Sequence, residues 1–220
     1  MTHYFISCYF NVCQFSRRRT LTQEFIKRYP NVIVFEIAYG NNDFQLEGSV
    51  KLRSEKFTGW ETCRLINWFV SVKHFKSITF IDSDVILYDG FFEKVVKKVE
   101  SYEDEPVFIQ PYDRAQNLYE NKKYIGEMVD GCIKNCLKNR YFSNKAHTGL
   151  VYTYNKAFFS QVKRLPETLV LGGYDTVLYL SILREEVRFA DLLMAINNEM
   201  MSNELSSFYD SCVGVRYDYL

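Results

Sequence analysis

Asp82 and Asp84, separated only by Ser83 at the end of the apolar run Ser77 to Ile81, are the residues whose type and spacing most directly offer chemistry. In extended backbone, side chains at i and i+2 share a face. Two carboxylates on one face repel unless a cation lies between them. Hard divalent cations such as Mn2+ or Mg2+ take oxygen ligands and leave positions for phosphate oxygens. The pair is therefore a candidate metal and diphosphate site, where a cation would assist a departing nucleoside diphosphate. The competing reading is an ordinary turn, where aspartate is common.

Two further segments carry candidate chemistry. In Leu171-Gly172-Gly173-Tyr174-Asp175 the glycines permit a tight turn and close approach of a ligand. Asp175 then falls in the first turn of a helix, whose dipole favours the anion. It reads either as a general base for a hydroxyl or as a helix cap. In Ala146-His147-Thr148-Gly149-Leu150, His147 is a candidate for binding metal, polarising a phosphate or orienting an acceptor. The alternative is a structural hydrogen-bonding histidine.

These residues need elements to position them. The spacing predicts strands over His3 to Tyr9, Asn31 to Ala38, Ser49 to Arg53, Ser77 to Ile81, Pro106 to Gln110 and Gly149 to Tyr154. Helices are expected over Ser16 to Tyr29, Gly59 to His74 with Thr58 as cap, Gly90 to Val99, Asn155 to Val162 and Tyr174 to Leu183. Asn117 to Lys138 has helix-compatible polarity interrupted by Gly126 and Gly131, and Ser211 to Tyr219 reads as a final strand. Strands alternating with helices imply right-handed crossovers and a mainly parallel sheet. Ligands then bind at the carboxyl ends of the strands, where Asp82 falls.

Composition bounds the partners. The 220 residues are 47% hydrophobic and 17% aromatic, enough for a substantial core. Lys plus Arg and Asp plus Glu each number 27, so bulk charge gives no case for nucleic acid or an anionic membrane. The six cysteines form no Cys-x-x-Cys pair and read as free thiols in a reducing compartment. Cys132 and Cys136, one helical turn apart, read as a helix pair rather than half of a metal site. The first ten residues are too polar for a secretion signal. No stretch is apolar enough to span a bilayer, so any membrane contact must be peripheral or through a partner.

In order, the strand-ending Asp-x-Asp, the His-x-Gly strand and the Gly-Gly-Tyr-Asp helix start resemble the GT-A glycosyltransferases. The chain is more specifically similar to small glycosyltransferases of large algal, chlorella-type DNA viruses and related bacterial proteins. The matching segments, between about residues 6 and 185, include Cys8-Tyr9-Phe10-Asn11 and Phe35-Glu36-Ile37-Ala38-Tyr39-Gly40. They continue with Trp60-Glu61, Arg64-Leu65-Ile66-Asn67, Asp82-Ser83-Asp84 and Gln110-Pro111-Tyr112.

The resemblance implies an α/β fold of GT-A type, one domain over 1–220. A nucleotide-sugar-binding half would cover 1–115 and an acceptor-side half 116–220. It implies donor contacts from Cys8, Tyr9, Asn11, Glu36, Tyr39, Arg53, Arg64, Asn67 and the Asp82-Ser83-Asp84 segment. Local hydrogen bonding or capping is the alternative for Glu36 and Asn67. Metal ligands would be Asp82 and Asp84, the catalytic base Asp175, and the acceptor side Gln110, His147 and Gly173. One departure stands out: Trp60 is followed directly by Glu61, where Trp-x-Lys-Glu is expected, which removes a basic contact from that turn.

The implied activity is transfer of a glucose- or rhamnose-type sugar from a UDP-sugar to a glycan hydroxyl, using Mn2+ or Mg2+. The implied setting is viral capsid glycan synthesis in host cytoplasm. A nucleotidyltransferase acting on sugar phosphates is the enzymatic rival, but Cys8 to Val12 holds no glycine for a phosphate loop. A non-catalytic carbohydrate-binding protein is the other rival.

Overall fold

Apolar runs bounded by turn residues become strands, and those buried throughout lie in the middle of the sheet. A computed structural model describes residues 2–55, 61–118, 124–139, 146–168, 174–196 and 198–220. In chain order the elements begin β1 (His3–Phe10), α1 (Ser16–Arg28), β2 (Val32–Tyr39), β3 (Val50–Ser54), α2 (Thr62–Val72), β4 (Ser77–Ile81), α3 (Phe91–Glu100) and β5 (Val107–Gln110). There follow β6 (Arg114–Leu118), β7 (Tyr124–Asp130), α4 (Cys132–Asn139), β8 (Val151–Asn155), α5 (Lys156–Val162), α6 (Tyr174–Ile182), α7 (Glu186–Ala195), α8 (Glu199–Ser211) and β9 (Arg216–Tyr219).

Seven strands form one sheet in the order β3-β2-β1-β4-β8-β5-β9. All neighbours are parallel except where β8 runs antiparallel between β4 and β5. β4, β5 and β8 are buried at every position, as expected of strands covered on both faces. On one face Phe25 of α1 and Phe91 and Val95 of α3 pack with Val32, Val34 and Ile81. In α3 the buried Phe91, Val95 and Val99 recur every four residues, leaving the lysines outward. On the other face Phe69 of α2, Phe158 of α5, Leu178 of α6 and Leu205 of α8 pack with Ile6, Ile78 and Tyr154.

The antiparallel β8 brings the second half of the chain into the middle of the sheet. It also delivers its preceding loop, residues 147–150, to the carboxyl end of β4, because Ile81 pairs with Val151. At its other end, Asn155 caps α5 by accepting from Phe158 N at 2.9 Å.

Two segments differ from expectation. The helix expected over Asn117 to Lys138 is instead the β6–β7 hairpin followed by α4. Polarity alone does not separate a helix from an exposed hairpin, and Ile125 and Val129 are β-branched. Ser211 closes α8, so the last strand starts only at Arg216. Thr58, Gly59 and Trp60, the expected start of α2, and Gly173 lie outside the described residues.

Candidate active site

The β4 strand ends at Ile81, and its continuation carries the acidic pair. Ser83 is buried, with its Oγ 3.0 Å from Thr22 Oγ1 of α1. That contact ties the Asp-Ser-Asp segment to α1. Asp82 is part-buried and Asp84 exposed. Asp82 is fixed by two bonds to one residue: Leu150 N donates to its Oδ2 at 3.2 Å, and its own N–H donates to Leu150 O at 2.8 Å. Burial, and then the charges of Asp84 and Asp175, push the Asp82 carboxyl up to about 7, against the Leu150 N–H and Arg18.

Asp175 faces the same place from the first turn of α6. Thr148 donates its hydroxyl to Asp175 Oδ2 at 2.7 Å, and Thr176 N donates to Oδ1 at 3.0 Å. A Cβ on Gly149 would stand 3.8 Å from Asp175 Oδ2 and 3.6 Å from His147 Cε1, so glycine keeps the space between carboxylate and imidazole open. His147 Nδ1 is buried with no partner among the described residues. Burial lowers the pKa of the His147 ring, against the pull of Asp175.

The 147–150 loop is itself clamped. Tyr112 OH donates to Gly149 O at 2.5 Å, and Gln110 Nε2 donates to His147 O at 2.9 Å and to Tyr112 OH at 2.7 Å. Gln110 Oε1 accepts from Ile133 N at 2.9 Å. Gln110, expected on the acceptor side, is fully buried and uses both ends of its amide to hold this loop and the start of α4.

The remaining expected donor residues divide into two groups. Cys8, Tyr9, Asn11, Glu36 and Tyr39 gather at the carboxyl ends of β1 and β2. Cys8 is buried, with burial, Glu61 and Asp82 raising its thiol pKa. Tyr9 OH donates to Gln45 Oε1 at 2.6 Å, and Asn11 donates to Tyr9 OH at 2.9 Å and Phe15 O at 3.0 Å. Tyr9, Asn11, Glu36, Tyr39, Asn42 and Asp43 line a small crevice. Glu36 is almost wholly buried and accepts from Gln45 N, Leu46 N (3.2 Å), Ser49 Oγ (2.9 Å) and Lys51 Nζ (2.5 Å). Its carboxylate thus organises the loop between β2 and β3.

Arg53, Arg64 and Asn67 line a separate groove beside α2 that includes neither aspartate of the pair. Arg53 donates to Gly40 O and to Asn42 O at 3.0 Å. Arg64 lies 3.3 Å from both carboxylate oxygens of Glu61. Asn67 pins the segment after α5, donating to Leu165 O and accepting from Leu165 N, each at 2.9 Å.

No family model matches the chain, and no curated protein sequence matches it. Matching solved structures include residues 1–349 of TarS from S. aureus, at 10% identity and TM-score 0.48, covering 96% of this chain and 71% of that one. Another is a Bacillus anthracis protein described as a glucose-1-phosphate thymidylyltransferase, in complex with sucrose, at 9% identity and TM-score 0.42, covering 100% of this chain and 87% of that one.

Two residues outside the expected site residues gain importance. Thr148 orients Asp175, and a threonine between a histidine and a glycine has nothing to distinguish it. Arg18, within the Arg17-Arg18-Arg19 run of α1, stands 4.7 Å over the Phe10 ring, and its charge acts on Cys8, Tyr9 and Asp82. The arginine run was the available signal.

The acidic pair suits a hard cation chemically. Burial first, and the neighbouring charges of Asp84 and Asp175 second, raise the Asp82 pKa, and a divalent cation would relieve both. Among the described residues no group of three or more His, Cys, Asp or Glu side chains is arranged to hold a metal. Asp82 and Asp84 would then supply two ligands, with water and phosphate oxygens completing the shell, the usual habit of Mg2+.

Proposed function

We propose that the chain is a metal-dependent glycosyltransferase of GT-A type that moves a sugar from a UDP-sugar to a hydroxyl of a glycan. The carrying observation is that Asp82 and Asp175 converge across the 147–150 loop at the carboxyl end of the sheet, with Asp84 beside them. Bound Mn2+ or Mg2+ would neutralise the diphosphate of the donor at Asp82 and Asp84.

The protein's own groups would do the rest. Asp175, held by Thr148 and Thr176 N, would accept the proton of the acceptor hydroxyl. The freed oxygen would bond to the anomeric carbon as the bond from that carbon to the diphosphate breaks, which inverts the centre. Arg18 would add positive charge beside the leaving group. The crevice between β1 and β2 would hold the nucleoside.

Turnover of a panel of UDP-sugars with Mn2+, read as released UDP, tests the reading, with Asp84→Asn as the inactive control. No release, together with no nucleotide-dependent rise in melting temperature, would sink it. Arg18 beside the end of β1 also supports a second reading, nucleotidyl transfer to a sugar phosphate. Pyrophosphate rather than UDP would then be the product.

A further inference from the structure

One side of the molecule, centred on α2, combines exposed apolar side chains with lysines that have no ion-pair partner among the described residues. A groove of about 850 Å3 runs along it, floored by Ile37, Leu52, Leu65, Phe75 and Phe159. Trp68 lines the groove while 41% exposed, its ring edge-on to Phe35 at 5.7 Å. Val72 of the same helix is 53% exposed, and Val50 on the edge strand β3 is 43% exposed. A helix whose outer face carries Trp and Val sits at odds with burial in water alone.

The charge left over on this face is positive. Five groove side chains are cationic and two anionic. Both anions are engaged, Glu61 with Arg64 at 3.3 Å and Glu167 with Arg164 at 2.7 Å. Lys156 and Lys163 in the groove, and Lys73 just past α2, have no ion-pair partner among the described residues. Tryptophan favours the level of lipid headgroups, and lysines are drawn to anionic lipid phosphates. A small soluble anion would use the lysines but leave Trp68, Val50 and Val72 uncovered.

We propose that the α2 face docks on a membrane surface bearing anionic lipids. The near-zero net charge of the chain conceals this face because its excess is local. No helix among the described residues is long and apolar enough to cross a membrane, so the contact is peripheral. The proposal stands independently of the reaction at Asp82.

The test uses the full chain carrying Trp60→Phe, which leaves Trp68 as the sole tryptophan. Phosphatidylcholine vesicles with and without phosphatidylglycerol are compared by co-sedimentation and by Trp68 emission. The anionic vesicles are expected to pull the protein down and shift its emission to the blue, less so at high salt. Neutral vesicles should do neither. The exposed pair Lys156→Gln and Lys163→Gln should weaken sedimentation about fivefold for each lysine, with an unchanged melting temperature. Failure to sediment, equal sedimentation with neutral vesicles, or indifference to the lysine changes overturns the proposal. So does the same emission shift with inorganic phosphate or a short single-stranded oligonucleotide, which would mark an anion site or a nucleic-acid site instead.

Discussion

Thr148 gives its hydroxyl hydrogen to Oδ2 of Asp175 at 2.7 Å, and two residues on Leu150 gives its N–H to Oδ2 of Asp82 at 3.2 Å. One short span thus sets where two acidic groups stand, one at a strand end and one in the first turn of a helix. The span is strained to do so. Leu150 has φ of +80°, a conformation that costs a non-glycine residue about 1–3 kcal/mol. Two hydrogen bonds with Asp82, one to its carboxylate and one from its backbone N–H, and the Gln110–Tyr112 clamp hold it there.

Thr148 gives the most direct test of Asp175 as a base. Thr148→Val removes the hydrogen bond while nearly keeping the shape, so sugar transfer should fall roughly tenfold with the donor KM unchanged, and Thr148→Ser should restore it. Asp175→Asn should cost more, about 10²–10⁴-fold, the usual range for a lost general base. Full activity of Thr148→Val in steady-state kinetics would detach Asp175 from the chemistry.

Asp82 makes a prediction about stability and pH. An unfolded aspartate titrates near ~3.9, whereas the folded Asp82 carboxyl is pushed up to about 7. Between these values the folded state keeps a proton that the unfolded chain has lost. Stability from this group therefore falls as pH rises through that window, and the full penalty is carried above about 7. Asp82→Asn removes the penalty. The variant should melt higher than the wild type at about pH 8 and converge with it near pH 4. Mn2+ should raise the wild-type melting temperature at the higher pH and leave the variant's unchanged. Thermal denaturation across pH, with and without metal, reads both effects.

The part of this arrangement that was legible before the structure is the part written locally. Ser77 to Ile81 is buried on both faces, so its boundaries show as an uninterrupted apolar run, and the position of Asp82 follows. Asp175 in the first turn of α6 follows from the glycines before it. The sheet class was legible for the same reason. The facing of polar side chains was not, because packing partners distant in sequence decide it. Glu36 turns to the 45–51 loop, Asn67 to Leu165, and Gln110 inward to His147 O. The β6–β7 hairpin was missed because its polar sequence suits either helix or strand and only tertiary contacts choose.

Two glycines near the clamp should behave differently when given a methyl group. A Cβ on Gly131 would lie 2.8 Å from Gln110 Oε1, which the Ile133 N–H holds in place, and 3.0 Å from the backbone oxygen of Tyr112. Gly131→Ala should therefore cost about 1–3 kcal/mol, the usual price of overpacking, read as a lower urea midpoint at constant slope. At Gly149 the nearest atoms, His147 Cε1 and Asp175 Oδ2, stand at ordinary contact distance. Gly149→Ala should keep near-wild-type stability while filling the gap beside Asp175, so transfer slows without unfolding. Equal urea midpoints for the two variants would contradict this account of the clamp.

Glu36 separates a structural carboxylate from a nucleotide-binding one. Burial pulls its pKa upward, but the N–H groups of Gln45 and Leu46, Lys51 and the Ser49 hydroxyl outweigh it, and the net shift is downward. A carboxylate depressed in the folded state adds stability above its unfolded value, near ~4.3, and loses it as pH falls through the folded value. Glu36→Gln should therefore lower stability at neutral pH by about 1.5–3 kcal/mol, the range for hydrogen bonds to a charged group. The gap between variant and wild type should close in acid. Donor KM should move little, because the carboxylate is already saturated by the loop it holds. Were Glu36 instead a ribose ligand, the substitution would raise donor KM severalfold and leave the melting curve in place. Calorimetry across pH combined with donor kinetics on the same variant distinguishes the two.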